Sequence, residues 1–534
     1  MDNAKSLSRR SFVAAGAVTA GAAALGLSAC GGGSSNNTSN TANTNSSGTA
    51  AKGGTLTGAA AYSSTNYNPI GNSSALVLGA IWHVFEGLYE LDLHNYTTYP
   101  ALAKEAPKKI SDTQYEITLR DGAKFSDGTA VTAADVVNAF QLNMADATYS
   151  AMLEFIDSVA AKDDTTVTLT LKYAFADLLE GRLAIVKIFP ATQTVDDLKV
   201  MPIGSGPWMY DKINGDEGGA IDFLPNPNYN GSYPASADKM HWDVLKDATA
   251  RTTALQEGSV MVMESVPDAN VDQLTAAGAT IEYVQGFNQA FLMFNTKKAP
   301  FDDYRVRQAF YYAINVEKLI SNAMAGNATA ITSFLPKEHA NYHQAATVYT
   351  YDPEKAKSLL AEAGVSNLTF TLMCNNNWVQ DLSAQIKEDL DAVLGSGACT
   401  LNVTTIAWQE LAASDSILPY DVMLTPGDPT CFGNDPDLLM SWWYGDNIWT
   451  QGRSCWNYTA EWAQLQDYMQ QARVASGSAQ QELWNKCFDL LAEQVPLYPL
   501  FHRKLATGYL PKKITGFAPI ATTGLVFIGA SCAQ

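Results

Sequence analysis

The chain has 534 residues, and its 34 Lys and Arg stand against 54 Asp and Glu, for a formal net charge of −20. Hydrophobic residues make up 47% and charged residues 16%, so most of the chain is expected to fold around a large core. The acidic balance argues against a nucleic-acid binder, which needs Lys and Arg against phosphates, and against electrostatic docking on anionic lipid.

The first 29 residues are typical of an export signal. Residues 9–12 read Arg-Arg-Ser-Phe and resemble a twin-arginine signal, and residues 27–30 read Leu-Ser-Ala-Cys and resemble a bacterial lipobox. Cys30 is therefore predicted to be the lipidated first residue of an exported protein. Such a protein is anchored by its N-terminal lipid alone to the outer side of the cytoplasmic membrane, at the cell surface or in a periplasm. Twin-arginine and general secretory export both remain open.

A linker is predicted to follow the lipidated cysteine. Residues 31–52 contain only Gly, Ser, Asn, Thr, Ala and one Lys. This composition has nothing to bury and is typical of a flexible tether. We therefore assign residues 30–52 to the lipidated cysteine and its linker, and place the folded body from residue 53 onward.

Export makes disulfides possible, and six cysteines follow Cys30. Six cysteines allow fifteen pairings. We predict only the pair Cys431–Cys455, because both residues lie in a region rich in Gly, Pro and Asn. Buried free thiols are the alternative for the other four, which are Cys374, Cys399, Cys487 and Cys532.

The body alternates strand-like and helix-like segments. Residues 114–120 and 166–172 alternate apolar and polar side chains with a period of two, which predicts half-buried strands. Residues 132–135 form a capping box that begins a helix. Asp352 followed by Pro353 predicts another helix start, and two amphipathic helices are predicted over 461–475 and 480–493. Because the strands are scattered, a mixed-sheet α/β architecture is favoured.

Motifs for catalysis or metal binding are weak. His339 and His343 have the i, i+4 spacing of metal ligands, but no Glu stands between them and no acidic third ligand follows. We interpret them as surface histidines near a turn. The sequence therefore predicts no catalytic residue, no metal site and no cofactor, and we do not expect an enzyme.

Aromatic residues are concentrated in a 21-residue span that follows Asp428-Pro429 and Asp435-Pro436. Aromatic walls with a few placed polar groups are typical of a small-molecule cleft, so at least one of these residues is predicted to contact a ligand. They are Trp442, Trp443, Tyr444, Trp449, Trp456, Tyr458 and Trp462.

Five ordered blocks resemble one protein family. The first contains Trp-His-Val-Phe-Glu-Gly-Leu-Tyr-Glu-Leu at 82–91 and Leu-Arg-Asp-Gly at 119–122, and the second is Gly-Ser-Gly-Pro-Trp at 204–208. Asn-Pro-Asn-Tyr at 226–229, the segment 294–309 and the segment 351–364 follow in order. Together they resemble family 5 of the solute-binding proteins of ABC importers, the peptide/nickel (dipeptide- and oligopeptide-binding) family. The resemblance extends from about residue 53 to residue 517.

The resemblance implies a periplasmic-binding-protein-like (type II) α/β fold with mixed sheets, two lobes, a hinge and an extra domain inserted in the first lobe. Residues 53–88, 196–283 and 501–534 would form the first lobe, 89–195 the inserted domain and 284–500 the second lobe. The protein would be a monomer. It would bind an oligopeptide or other small solute between the lobes and deliver it to an ABC permease with its ATPase.

The ligand remains open. Peptide-binding relatives place an Asp three residues before an Asp-Pro, and here that position, counted back from Asp435, is Phe432. Asp428 could replace it only if the loop is shifted. Modified peptides, an oligosaccharide and a nickel or other metal chelate therefore remain alternatives, as do a sensor receptor and a hydrolase on this scaffold. The predicted ligand-binding residues are Tyr67, Trp378, Trp408, Asp428, Trp442 and Trp443.

Overall fold

The computed structural model describes residues 53–175, 178–375, 378–404 and 420–533. Residues 1–52, which carry the predicted signal, Cys30 and the linker, lie outside this part of the chain, and so does Trp408.

The strands are as follows: β1 (Thr55–Ala60), β2 (Tyr89–Leu91), β3 (Thr98–Pro100), β4 (Lys108–Ser111), β5 (Gln114–Thr118), β6 (Ile156–Ala161), β7 (Thr166–Leu171), β8 (Trp208–Ile213), β9 (Ala220–Pro225), β10 (Lys239–Val244), β11 (Val262–Met263), β12 (Thr280–Phe294), β13 (Ala328–Ala330), β14 (Phe370–Asn375), β15 (Cys399–Thr404), β16 (Val422–Gly427), β17 (Leu497–Tyr509), β18 (Ile514–Thr515) and β19 (Ser531–Cys532).

The α-helices are as follows: α1 (Ala75–Val84), α2 (Ala133–Ala145), α3 (Leu179–Leu183), α4 (Val195–Val200), α5 (Ala248–Glu257), α6 (Val271–Ala276), α7 (Tyr304–Ala313), α8 (Val316–Ala323), α9 (Pro353–Glu362), α10 (Gln380–Leu394), α11 (Pro436–Tyr444), α12 (Ala460–Val474) and α13 (Gly477–Gln494). No helix of the described ranges has the length and apolar character needed to cross a membrane.

The main sheet has eleven strands in the order β15-β14-β16-β12-β17-β11-β1-β10-β9-β8, with β13 paired to β17. β1 runs parallel to β10 and β11, and β14 runs parallel to β15 and β16. β12 and β17 are antiparallel to each other, and β8, β9 and β10 form an antiparallel series. Mixed pairing of this kind confirms the mixed-sheet α/β prediction.

Two long strands, β12 and β17, connect the two halves of this sheet. They pair from Thr280 opposite Tyr509 to Met293 opposite Leu497. At one end β17 pairs with β11, and at the other end β12 pairs with β16. Because few strands connect the two halves, a hinge between two lobes can form where these strands leave one half for the other.

A separate four-stranded sheet, in the order β4-β5-β7-β6, is built from residues 108–171. Helix α2 packs against β6 and β7. This unit lies within residues 89–195, the range of the predicted inserted domain, although the domain boundaries remain a prediction.

Local sequence signals identify several elements. Residues 166–171 form a strand whose alternate side chains are buried, and the Thr132–Asp135 capping box begins α2. The Asp352 carboxylate accepts a hydrogen bond from Lys355 N at 2.9 Å at the start of α9. The predicted helices over 461–475 and 480–493 correspond to α12 and α13. These agreements follow from capping and periodicity, which act within one or two helical turns.

His83 joins α1 to the C-terminal segment. Its side chain is fully buried, Nδ1 lies 2.7 Å from Gly79 O, and Nε2 accepts a hydrogen bond from Phe527 N at 2.8 Å. These contacts require the neutral ring with its proton on Nδ1. Burial lowers the pKa of His83 to about 4.

We expect the free energy of unfolding to fall as the pH is lowered from about 6.5 to about 4, because in this window the unfolded chain binds a proton on His83 and the folded protein does not. Urea unfolding at a series of pH values should show a weaker pH dependence in a His83→Gln variant. The pKa of buried His502 is also lowered to about 4. His502 therefore contributes to the pH dependence of unfolding, with the same sign, in both the wild type and the variant. An identical pH dependence in both would contradict the assignment to His83.

Candidate functional site

A cavity of about 210 Å³ lies where β12, the end of β16, the start of α1 and the C-terminal segment meet. Its walls combine aromatic rings with a few polar side chains, as ligand sites usually do. The lining residues are Tyr62, Ser73, Ala75, Asn288, Trp378, Pro426, Gly427, Asp428, Cys431, Phe432, Trp442 and Thr523.

The end of β16 positions one wall of this cavity. The strand ends at Gly427, and Asp428 then caps a 3₁₀ turn, Pro429–Cys431. Helix α11 begins at Pro436, with the Asp435 carboxylate accepting a hydrogen bond from Leu438 N at 2.8 Å. The short turn and the capped helix together bring Phe432 and Trp442 to the cavity.

The adjacent tryptophans of α11 have different environments. Trp442 lines the cavity, whereas Trp443 packs edge-on against Phe291, with ring centroids 4.9 Å apart, and against Trp449, at 4.8 Å. A Cβ on Gly427 would lie 2.5 Å from the Trp443 ring. Glycine at this position therefore lets β16 pass close to the buried indole.

Aromatic side chains form most of the apolar lining. The ring centroids of Phe432 and Trp442 are 5.4 Å apart, and the two rings are tilted by 32°. The ring of Tyr149 packs edge-on against Phe432, with centroids 5.3 Å apart. Trp378 lies on another wall, 6.3 Å from Phe501. The phenylalanine that replaces the expected carboxylate of peptide-binding relatives therefore contributes to an aromatic wall.

Asp428 already has protein partners. Oδ1 accepts hydrogen bonds from Thr430 N at 3.0 Å and from Thr430 Oγ1 at 2.5 Å, and Oδ2 accepts one from Thr522 Oγ1 at 3.0 Å. Burial raises the pKa of this carboxyl above its usual value. A carboxylate has about four acceptor positions, so Oδ2 can accept one further hydrogen bond from a ligand.

The structure brings together three of the predicted ligand-binding residues, Trp378, Asp428 and Trp442, at the cavity. Tyr67 is buried against Tyr210, with ring centroids 5.8 Å apart, and neither Tyr67 nor Trp443 is among the lining residues. Ligand contact itself remains a prediction for all of them.

Nine of the twelve lining residues were not predicted from the sequence as ligand contacts, and four of them have side chains suited to contact a ligand. Phe432 was recognised there only as a departure from the family pattern. Tyr62, Asn288 and Thr523 carry no local signal, because the folding of distant segments brings them to the cavity.

The predicted Cys431–Cys455 disulfide is not formed. Both residues are free cysteines, as are the other four in the described part of the chain. Cys431 Sγ lies 3.8 Å from Asp428 O beside the cavity, and Cys455 Sγ lies 3.6 Å from Arg453 O in a buried position. The two side chains therefore have different neighbours. Their shared position in a segment rich in Gly, Pro and Asn was not sufficient to predict a disulfide.

The two spaced histidines also have different neighbours. His339 Nε2 donates to Asn434 O at 2.6 Å, since its Nδ1 accepts from Asn341 N, and His343 Nε2 lies 3.3 Å from Asp489 Oδ1. Within the described ranges, no group of three or more His, Cys, Asp or Glu side chains is arranged to hold a metal ion.

The fold and the cavity define a class: a two-lobed protein of the periplasmic-binding type with an aromatic-lined cavity beside β12, one of the strands that join its halves. The sequence profile described as "Bacterial extracellular solute-binding proteins, family 5 Middle" matches residues 97–464, more than half of the chain. The chain therefore belongs to family 5 of the bacterial extracellular solute-binding proteins. Members of this family serve ABC importers as solute-binding proteins and are not enzymes.

Individual relatives differ in their named ligands. The chain is 31% identical over 337 residues to heme-binding protein A of Haemophilus influenzae, covering 56% of this chain and 61% of that protein. It is 26% identical over 489 residues to the glutathione-binding protein GsiB of Escherichia coli K12, covering 88% and 93%. The periplasmic binding protein DppA of Helicobacter pylori, solved with the peptide STSA, is similar in fold, with a TM-score of 0.78, 22% identity, and coverage of 91% and 99%.

Proposed function

We propose that the protein is an exported, lipid-anchored binding protein that captures an oligopeptide-like solute between two closing lobes and delivers it to an ABC importer. The observation that carries this proposal is the position of the cavity beside β12, one of the two strands shared by the halves of the sheet. A ligand bound there can favour closure, provided that both lobes contact it in the closed form.

The residues that line the cavity come from both predicted lobes, which supports the proposal that both lobes contact the solute. Tyr62, Ser73 and Thr523 belong to ranges assigned to the first lobe, whereas Trp378 and Trp442 belong to the second. The named ligands of the relatives, among them glutathione and a tetrapeptide, support a peptide-like solute. Lipidation at Cys30 would keep the protein at the membrane that contains its permease, and a diacyl anchor supplies the two chains that stable attachment requires.

Native mass spectrometry of the protein without its signal, purified from rich medium without denaturation, tests the ligand class. We expect a series of bound masses that fragment as peptides. If the protein carries only the mass of a glycan or of a metal chelate, the peptide proposal is wrong and that solute is the ligand. The aromatic lining of the cavity would then contact that solute.

Asp428 is proposed to bind the amino terminus of the peptide through the remaining acceptor position of Oδ2. Asp428→Asn should weaken binding of peptides with a free amino terminus about tenfold or more, since a hydrogen bond to a charged group is lost. Peptides with acetylated amino termini should be affected far less. Isothermal titration calorimetry with both forms measures the difference.

Thr522→Val is the matched control. It removes one hydrogen bond to Oδ2 but keeps the carboxyl group, so it should reduce the preference for free amino termini far less than Asp428→Asn does. Equal effects of Asp428→Asn on free and acetylated peptides would remove the proposed role of Asp428 but would not affect the proposal that peptides bind.

A further inference from the structure

The two long strands of the main sheet are irregular beside the cavity. Gln285 pairs with Lys504, and Gln289 pairs with His502. Between these pairs β12 has three residues, at positions 286–288, and β17 has one, Arg503. Bulges of this kind redirect side chains and are frequent next to functional sites. Asn288 therefore lies in the bulged segment of β12, and Arg503 is the residue of β17 opposite that segment.

Arg503 carries a positive charge without a carboxylate partner. Its guanidinium lies 4.8 Å from the ring centroid of Trp378, which lines the cavity. No ion pair or side-chain hydrogen bond joins it to another residue of the described ranges. Asp268 lies near enough to stabilise the charge of Arg503 but forms no ion pair with it, and its Oδ1 accepts hydrogen bonds from Tyr283 and Asn327, each at 2.7 Å.

Arg503 is partly buried, and burial lowers the pKa of its guanidinium. A partly buried charge is destabilising unless it is paired. A ligand anion bound in the cavity beside Trp378 would supply a contacting partner.

Asn288 supplies a complementary group on the neighbouring strand. Its side chain lines the cavity, the residue is only 6% exposed, and its Oδ1 has no hydrogen-bond partner. A buried acceptor without a donor is unfavourable, so a ligand N–H would satisfy it. A guanidinium beside the lining residue Trp378 and an unpartnered acceptor on the paired strand suit a ligand that carries both a carboxylate and a nearby N–H.

We propose that Arg503 and Asn288 form a subsite for a ligand carboxylate and the amide N–H beside it, with Arg503 binding the carboxylate and Asn288 Oδ1 accepting from the N–H. The protein thereby selects solutes that end in an N-acylated amino acid. This inference rests on the proposed function, because it assumes that the cavity is the solute site.

The first test compares one peptide as its C-terminal acid and as its C-terminal amide by calorimetry. Arg503→Met should weaken binding of the acid by about 10- to 100-fold, the range expected for hydrogen bonds to charged groups, and should leave binding of the amide unchanged. Lys504→Met is the matched control, since it removes the same charge from the next residue of β17, whose side chain points to the opposite face. It should change neither affinity.

The second test does not require that the solute is a peptide. Millimolar N-acetylglycine carries a carboxylate beside an N–H, whereas N-acetylglycinamide carries the N–H alone. At matched ionic strength the acid should raise the thermal midpoint of the wild-type protein more than the amide does. Arg503→Met should abolish this difference, and Asn288→Ala should reduce the effect of both compounds.

The outcomes separate the two proposals. If neither form of the peptide binds the wild-type protein but the N-acetylglycine effect depends on Arg503, the subsite is retained and the peptide function is wrong. If peptides bind but Arg503→Met weakens acid and amide equally, or weakens neither, the subsite is wrong. The ligand-free Arg503→Met protein should not have a lower thermal midpoint than the wild type, because the substitution removes an unpaired charge.

Discussion

Arg182→Met should lower the free energy of unfolding by about 3 kcal/mol, the lower end of the range for breaking a buried ion pair. Arg182 is 1% exposed and donates to Asp435 Oδ1 at 2.9 Å, to Asp437 Oδ2 at 2.7 Å and to Met152 O at 3.1 Å. Its removal leaves two carboxylates with fewer partners, and one of them, Asp437, is buried. Urea unfolding at neutral pH measures the loss.

The remaining members of this network explain why the loss should not be larger. Asp437 is also 1% exposed and accepts a second ion-pair hydrogen bond from Arg473 Nε at 2.7 Å. Burial by itself would raise the pKa of Asp437, but Arg473 and Arg182 hold it below its usual value. Arg473 therefore continues to stabilise the charged form after Arg182 is replaced.

A surface ion pair provides the control. Lys199 and Asp196 lie 3.0 Å apart with both side chains largely in water, so Lys199→Met should leave the free energy of unfolding nearly unchanged. A similar small effect for Arg182→Met and Lys199→Met would show that the buried network contributes little. Because Arg182 lies on α3 and its partners begin α11, a large effect would also show that the predicted inserted domain and second lobe stabilise each other.

Trp443→Ala should lower the free energy of unfolding by about 3–5 kcal/mol, as expected for truncation of a large buried aromatic side chain. Trp443 is fully buried and packs against Phe291, Trp449 and the backbone of Gly427. The cavity left by its removal cannot be filled by those neighbours without moving β16. Denaturant unfolding of the variant measures the effect.

Trp442→Ala is the matched comparison, because the residue is adjacent and chemically identical but lines the ligand cavity. It should destabilise the protein less and should weaken solute binding by roughly tenfold or more, as removal of a central aromatic contact does. Equal losses of stability for the two variants, with no loss of affinity for Trp442→Ala, would contradict the different roles assigned to them.

Local features of the fold could be read from the sequence because their causes are local. The capping box at Thr132 begins α2, and Asp352 with Pro353 begins α9. The alternation over 166–172 predicted β7. Each depends on hydrogen bonds or side-chain direction within a few residues, and the ordered family blocks then identified the two-lobed fold as a whole.

The site could be predicted only in part. Trp442 was singled out as part of the aromatic cluster, Asp428 as a substitute for the family's aspartate, and Trp378 as an aromatic residue next to a predicted strand. All three line the cavity. The same reasoning selected Trp443, which faces the core one residue farther along α11, since composition does not show which face of a helix a side chain occupies. It also paired two cysteines that the folded chain keeps apart.

The class of the protein, the starts of its capped helices and its alternating strands could be read from the sequence, because family motifs, caps and periodicity are features of short segments. Export and lipidation remain predictions from the same source. Which residues line the cavity follows from the tertiary structure. Asn288 and Arg503 are 215 positions apart and become neighbours because β12 and β17 pair across the middle of the sheet with a bulge between them. Register and bulges depend on the packing of whole strands, so no local pattern in either segment reveals the juxtaposition.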